Sequence, residues 1–164
     1  DAAPAADRAA ERIAQADHAY ATGDYGTALS AFRALAKDNE TPDPALALHC
    51  QVRAAQCLAA MGNAASALAG LSSVIERQRR LMGERARPVL RSRRVEIDML
   101  AAVGNGPEAH RRLGGLVRDM AAALGSADAD TIEAERLLRA WSAPPQAGHG
   151  RPTQPTASPG SPPR

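Results

Sequence analysis

Residues 16–35, ADHAYATGDYGTALSAFRAL, are the stretch whose reading decides the fold. Gly23-Asp24 sits at its centre, with Ala16 and Ala19 before it and Ala28, Phe32 and Leu35 after it. The same arrangement returns around Gly62-Asn63, flanked by Ala55 and Leu58, then Ala67, Leu71 and Val74. It returns again around Gly104-Asn105, flanked by Ile97 and Leu100, then Ala109, Leu113 and Leu116. Counted from each Gly, the apolar residues fall seven and four before it and five, nine and twelve after it. A register held in three copies marks an internal repeat, and a repeat sets the architecture before other arguments apply.

The junction has a mechanical meaning. Glycine adopts the left-handed conformation that ends a helix at little cost. Asp24, Asn63 and Asn105 are then expected to cap the following helix through their side-chain oxygens. Pro107 falls in a first turn, where its missing N–H is harmless. Each junction therefore reads as helix, tight turn and antiparallel helix. The first helices of the pairs are expected at about 5–22, 44–61 and 87–103, and the second at about 24–38, 63–81 and 106–124. Leu124-Gly125 with Thr131-Ile132 repeats the spacing of Met82-Gly83 with Val89-Leu90. A seventh helix at about 129–141 follows from that spacing, placed to cap the open end of the stack. Asp128 and Asp130 sit in the turn before it, where capping would account for both. From Ser142 the composition shifts to Pro, Gly, Ser and Thr, so residues 142–164 are expected to form a disordered tail after a helical domain at 1–141.

These offsets resemble the tetratricopeptide repeat, whose helical hairpins carry small residues where the two helices cross and larger ones beside them. Ala16, Ala55, Ala28, Ala67 and Ala109 match the small positions. Phe32, Leu71, Leu113, Leu35, Val74 and Leu116 match the large ones. The resemblance spans roughly residues 8–141. Three features depart from it. Arg12, Gln51 and Arg93 stand where each repeat usually has an early Trp, the closing Pro is missing, and the copies lie 39 and 42 residues apart rather than the usual ~34. The longer spacing is similar to a variant frequent in actinobacterial regulators, including the region behind the catalytic domain of some serine/threonine protein kinases. The resemblance implies an all-α, right-handed solenoid of three hairpins plus a cap, whose first helices line a concave peptide-binding groove. On that implication the groove residues are Asp17 and Tyr20 from the first repeat, His49, Val52, Arg53 and Gln56 from the second, Arg91, Arg94 and Asp98 from the third, and Arg136 from the cap. The groove would run from mildly acidic to strongly basic, suited to a protein or peptide with an acidic end, because guanidinium forks bind carboxylates bidentately.

Bulk composition narrows the function classes. The chain has 164 residues, 45% hydrophobic but only 2% aromatic, and a net charge of +2. Ala and Leu must therefore fill the interior, and overall charge gives no argument for nucleic acid or membrane. No run reaches the ~20 apolar residues that cross a bilayer. No signal peptide is visible, and a chain beginning at Asp1 reads as a piece of a longer cytoplasmic protein. Charge is unevenly spread: Arg77, Arg79, Arg80, Arg85, Arg87, Arg91, Arg93 and Arg94 cluster against Glu76 and Glu84. A nucleic-acid-associated regulator using this block is one alternative, but no aromatic residue lies in it for stacking.

No constellation points to catalysis. There is no Gly-x-Ser-x-Gly, and Gly114-Gly115 lacks the Lys of a phosphate loop, so close helix packing is the expected role of that pair. Cys50 and Cys57 share one helix face but lie ~10 Å apart, too far for a disulfide within the helix, and read as small buried hydrophobes suited to a reducing compartment. His18, His49, His110 and His149 are scattered, so neither a metal nor any other cofactor is expected. The reading that remains is a non-catalytic protein–protein interaction module. The alternative is that it serves as the regulatory C-terminal segment of a bacterial serine/threonine kinase. Neither the partner nor the oligomeric state is legible. The segment 1–164 is therefore expected to show no phosphotransferase, hydrolase or metal-dependent activity, and ATP turnover that survives removal of trace contaminants would overturn this.

Overall fold

The computed structural model describes residues 2–143, and the side chains of 6–143. The expected tail falls, from residue 144 onward, outside the described residues. Among the described residues the chain is all-helical: α1 (Ala2–Ala21), α2 (Tyr25–Asn39), α3 (Pro44–Ala60), α4 (Ala64–Met82), α5 (Arg87–Ala102), α6 (Gly106–Leu124) and α7 (Ala129–Ser142). Each helix packs against the next in the chain, and α3 also touches α5.

The three repeat junctions are built alike. Gly23, Gly62 and Gly104 have φ of +83°, +87° and +87°, a region that only glycine enters cheaply. The residue after each glycine donates its backbone N–H five residues back, from Asp24 to Ala19, Asn63 to Leu58 and Asn105 to Leu100, each at 2.9 Å. This is the six-residue closure that satisfies the last carbonyls of a helix before the chain reverses. Gly83 and Gly125, at +92° and +96°, end α4 and α6 in the same left-handed region.

Capping differs from the sequence expectation at two of three sites. The Asp24 carboxylate accepts from Thr27 N at 3.1 Å, but Asn63 and Asn105 make no side-chain cap hydrogen bond. The backbone closure is the same at all three junctions, and α6 begins with a proline in its first turn, which leaves one fewer N–H to cap. Asp43 caps α3 through Leu46 N at 3.0 Å.

The interior divides into three apolar clusters, and two helices are shared between neighbouring clusters. The first joins Ala16 of α1 and Ala28, Phe32 and Leu35 of α2 to Cys50, Ala54 and Cys57 of α3. The second uses the other side of α3, Val52 and Ala55, with Ala67, Leu71 and Ile75 of α4 and Val89 and Met99 of α5. The third combines Leu90, Ile97 and Leu100 of α5 with Ala109, Leu113, Leu116 and Met120 of α6 and Ala134 of α7, with Trp141 packed at its margin. The repeat register holds at nearly every buried position. Ala19 and Leu58 are only partly covered, and in the second copy Ile75 is buried at 2% exposure while Val74, at the expected offset, is only partly covered. Ala28, Ala67 and Ala109 are buried.

Those three alanines stand where methyl-sized side chains set the helix separation. Ala28→Leu or Ala67→Leu is expected to overpack its interface and cost about 1–3 kcal/mol, measured as a lowered thermal unfolding midpoint. Variants that melt with the parent protein would show that the helices do not cross there.

Candidate functional site

Helices α1, α3, α5 and α7 carry all ten residues expected to form a groove, and the structure gathers eight of them into two sets. The first centres on Arg53 of α3. Its guanidinium pairs with Asp17 of α1 at 2.8 Å and donates to Gln56 Oε1 at 2.7 Å. It also lies over the rings of Tyr20 and Phe32, 4.6 and 5.1 Å from their centroids. Cation–π contact of this kind is favourable by about 0.5–1 kcal/mol at exposed sites. Arg53 is thus committed to tying α1 to α3, with its donors turned inward. Nearby His49 has its pKa lowered, first by burial and then by the Arg53 charge. It is therefore biased towards the neutral imidazole.

The second set lies between α3, α5 and α7. Gln56, Arg91, Arg94, Val95 and Asp98 line a cavity of about 260 Å³ with Asp130 and Glu133 of α7 and Met120 of α6. Arg94 pairs with Asp98 at 3.1 Å along its own helix. Arg91 reaches across to Asp130 at 2.9 Å. Arg87 binds Asp128 at 2.7 Å and Asp130 at 2.6 Å. The two aspartates therefore do more than cap. Asp128 does accept from Asp130 N at 3.0 Å, but both carboxylates fasten α7 to the first turns of α5. Arg87 holds the Asp128 carboxyl below its ordinary range, and Arg91 followed by Arg87 does the same for Asp130.

Four of the ten expected groove residues (Gln56, Arg91, Arg94 and Asp98) line this cavity. Asp17, Tyr20, Arg53 and His49 lie around the α1–α3 contact. Val52 does not face a groove; it is buried at 6% exposure in the middle cluster. Arg136 is exposed and lines neither set. The expected gradient from acidic to strongly basic is flattened, because Asp98, Asp130 and Glu133 share the cavity with Arg91 and Arg94. Asp130 and Glu133 could not be foreseen as groove residues: their only sequence signal was a turn motif and a helix start.

The remaining arginines of the block are largely engaged within the chain. Arg77 donates to Gln51 at 3.3 Å, Arg80 pairs with Glu76 at 3.2 Å, and Arg93 pairs with Asp119 at 2.8 Å. Cys50 and Cys57 are free, buried thiols. Burial pushes the Cys50 pKa up to about 11 and raises that of Cys57, so neither is a poised nucleophile. Among the described residues no three His, Cys, Asp or Glu side chains are placed to hold a metal ion, and no helix is long and apolar enough to cross a membrane. Compared with family models, with curated proteins and with solved structures, the chain matches none.

The α5–α7 clasp sets a pH dependence. A carboxylate with a depressed folded pKa adds stability above its ordinary value and loses it as pH falls towards the folded one. Asp130→Asn should therefore lower the unfolding midpoint at pH 7. The gap from the parent protein should narrow as pH drops below the ordinary value of 3.8. A gap that stays constant from pH 7 to pH 2 would show that the carboxylate charge contributes nothing to the clasp.

Proposed function

We infer that this chain is a non-catalytic protein-interaction module of the tetratricopeptide-like kind. On this reading α1 to α6 form three helical hairpins of a right-handed solenoid, with α7 as its C-terminal cap. The partner is an extended or helical peptide lying against the first helices of the pairs. The observation that carries the reading is the cavity shared by α3, α5 and α7. There Gln56, Arg91, Arg94 and Asp98 come together from positions spread over more than one repeat, around the apolar patch of Val95 and Met120.

The chemistry of that cavity describes its ligand. Arg94 is 22% exposed and held by a single acid on its own helix. A peptide carboxylate can displace Asp98 from Arg94 and gain a charge-assisted hydrogen bond in a partly dry site. Glu133 and the released Asp98 favour a basic or amide group next to that carboxylate, so the expected peptide has an acidic end followed by a neutral or basic residue. A cytoplasmic setting belongs to the same proposal and is supported by the two free, buried thiols.

Selection of a displayed peptide library on the protein should enrich sequences of this type. Arg94→Ala should weaken a selected peptide by about 1–3 kcal/mol. Arg80, on α4 and 75% exposed, should be nearly neutral when replaced by Ala, as exposed charges usually are. No enrichment, or equal losses at Arg94 and Arg80 that grow at low salt, would remove the groove reading in favour of a diffuse electrostatic surface.

A further inference from the structure

A second cleft, of about 320 Å³, opens between α4, α5 and α6. Its lining brings Arg79, Arg93, Arg111, Arg112 and Arg118 around Glu96. None of the five belongs to the proposed peptide groove. Three of them are restrained by acids. Arg93 pairs with Asp119 at 2.8 Å, Arg111 holds Glu108 through two bonds of 2.6 and 2.8 Å, and Arg112 bridges Glu108 and Glu96 at 2.6 and 3.1 Å. Glu96 has no spare oxygen, since Ser72 donates to the other at 2.7 Å. Bonds to Arg111, then to Arg112, hold Glu108 at a pKa of about 2. Glu108 thus stays ionised, and its bonds fix the guanidinium planes of Arg111 and Arg112.

The other two arginines make no hydrogen bond within the described residues, and Arg118 is exposed. Arg79 reaches its nearest acid, Glu76, only at 3.7 Å, and its buried Nε has no acceptor. A buried donor without an acceptor costs about 1–3 kcal/mol. Arg118 makes no hydrogen bond or ion pair among the described residues. Its guanidinium lies over the Gly114-Gly115 pair, with Nη1 and Nη2 4.0 and 3.9 Å from where their Cβ atoms would stand. Interior glycines cost a helix about 1 kcal/mol each, and here they pack against no other helix, contrary to the sequence expectation. What they leave is a bare patch of backbone under a guanidinium.

We propose that this cleft is a binding site for a phosphate dianion, carried by a phosphorylated side chain or by a small free phosphate such as pyrophosphate. Two forks without an internal hydrogen bond, Arg79 of α4 and Arg118 of α6, converge with three preoriented ones. Donors arriving from three helices suit a tetrahedral anion with three terminal oxygens better than a carboxylate, whose acceptor sites all lie in one plane. The volume leaves room for the group that bears the phosphate, against the Ile97 and Gly115 wall. A nucleic-acid strand fits less well: each phosphodiester carries one charge, and none of the cleft's lining residues is aromatic, so no base can stack there.

The test is calorimetric titration of the protein with pyrophosphate and with a phosphoserine peptide, its unphosphorylated form as control, at fixed ionic strength. Saturable single-site binding of either phosphate is expected, and the stronger ligand identifies the source. Arg79→Ala and Arg118→Ala each remove a guanidinium without a hydrogen-bonded internal partner, so the unfolding midpoint should hold while affinity falls about ten-fold. Arg80→Ala should leave affinity unchanged. Binding of neither phosphate, an equal loss in Arg80→Ala, or tighter binding of single-stranded DNA than of either phosphate would overturn the proposal.

Discussion

With only four aromatic residues in 164, this chain cannot fill wide gaps between helices, and its helices must therefore approach closely. Buried alanines hold that approach along the whole length: Ala16, Ala28, Ala47, Ala67, Ala109 and Ala134 are each at most 3% exposed. Close approach works only where the chain reverses within two or three residues, and the left-handed glycines provide that reversal. Turn and crossing thus depend on each other. The closure at Gly23, Gly62 and Gly104 sets where the second helix starts, and the start sets which residue meets the neighbour five positions on. Interiors built this way are dense and intolerant of added volume.

A core of small residues buries little area per helix, and polar ties between distant helices add definition. Arg53 of α3 reaches Asp17 and Tyr20 of α1 and Phe32 of α2, and Arg87 with Arg91 joins α5 to α7 through Asp128 and Asp130. Exposed ion pairs are individually weak. Here, however, one guanidinium meets two carboxylates on the opposing helix, so both its position and its plane are set. The arginine block that looks like a basic face in the sequence is in large part an internal framework.

The turns, the helix limits and the small buried positions were legible because each follows from local spacing. Val74 and Ile75 show the limit of that register: in α4 the neighbouring residue takes the buried place, whereas α6, also 19 residues long, keeps it with Leu116. The side-chain caps missing at Asn63 and Asn105 are not explained by the backbone closure, which is the same at Gly23, where Asp24 does cap. The candidate site was less legible. Val52 shares a helix with Gln56 and Arg53, but α3 is covered on two sides, which only the packing of α5 reveals. The ties from Arg87 to Asp128 and from Arg93 to Asp119 link residues whose separation in sequence has no periodic signature. Gly114-Gly115 reads as a helix-packing pair, but only Arg118 of the same helix comes within 4 Å of their Cβ positions.

Helix α5 organises both clefts. Its apolar residues Val89, Leu90, Ile97, Met99 and Leu100 are buried in two clusters, which leaves the helix no freedom to rotate. Successive residues on a helix point about 100° apart. With the apolar side fixed, Arg93 and Glu96 must face the cleft shared with α4 and α6, whereas Arg91, Arg94 and Asp98 face the cavity shared with α3 and α7. Adjacent arginines at 93 and 94 thus enter different surroundings with different acids, Asp119 for one and Asp98 for the other. The division of a single basic run into two chemically distinct sites is a consequence of burying one side of one helix. It would be lost if α5 turned by a single residue.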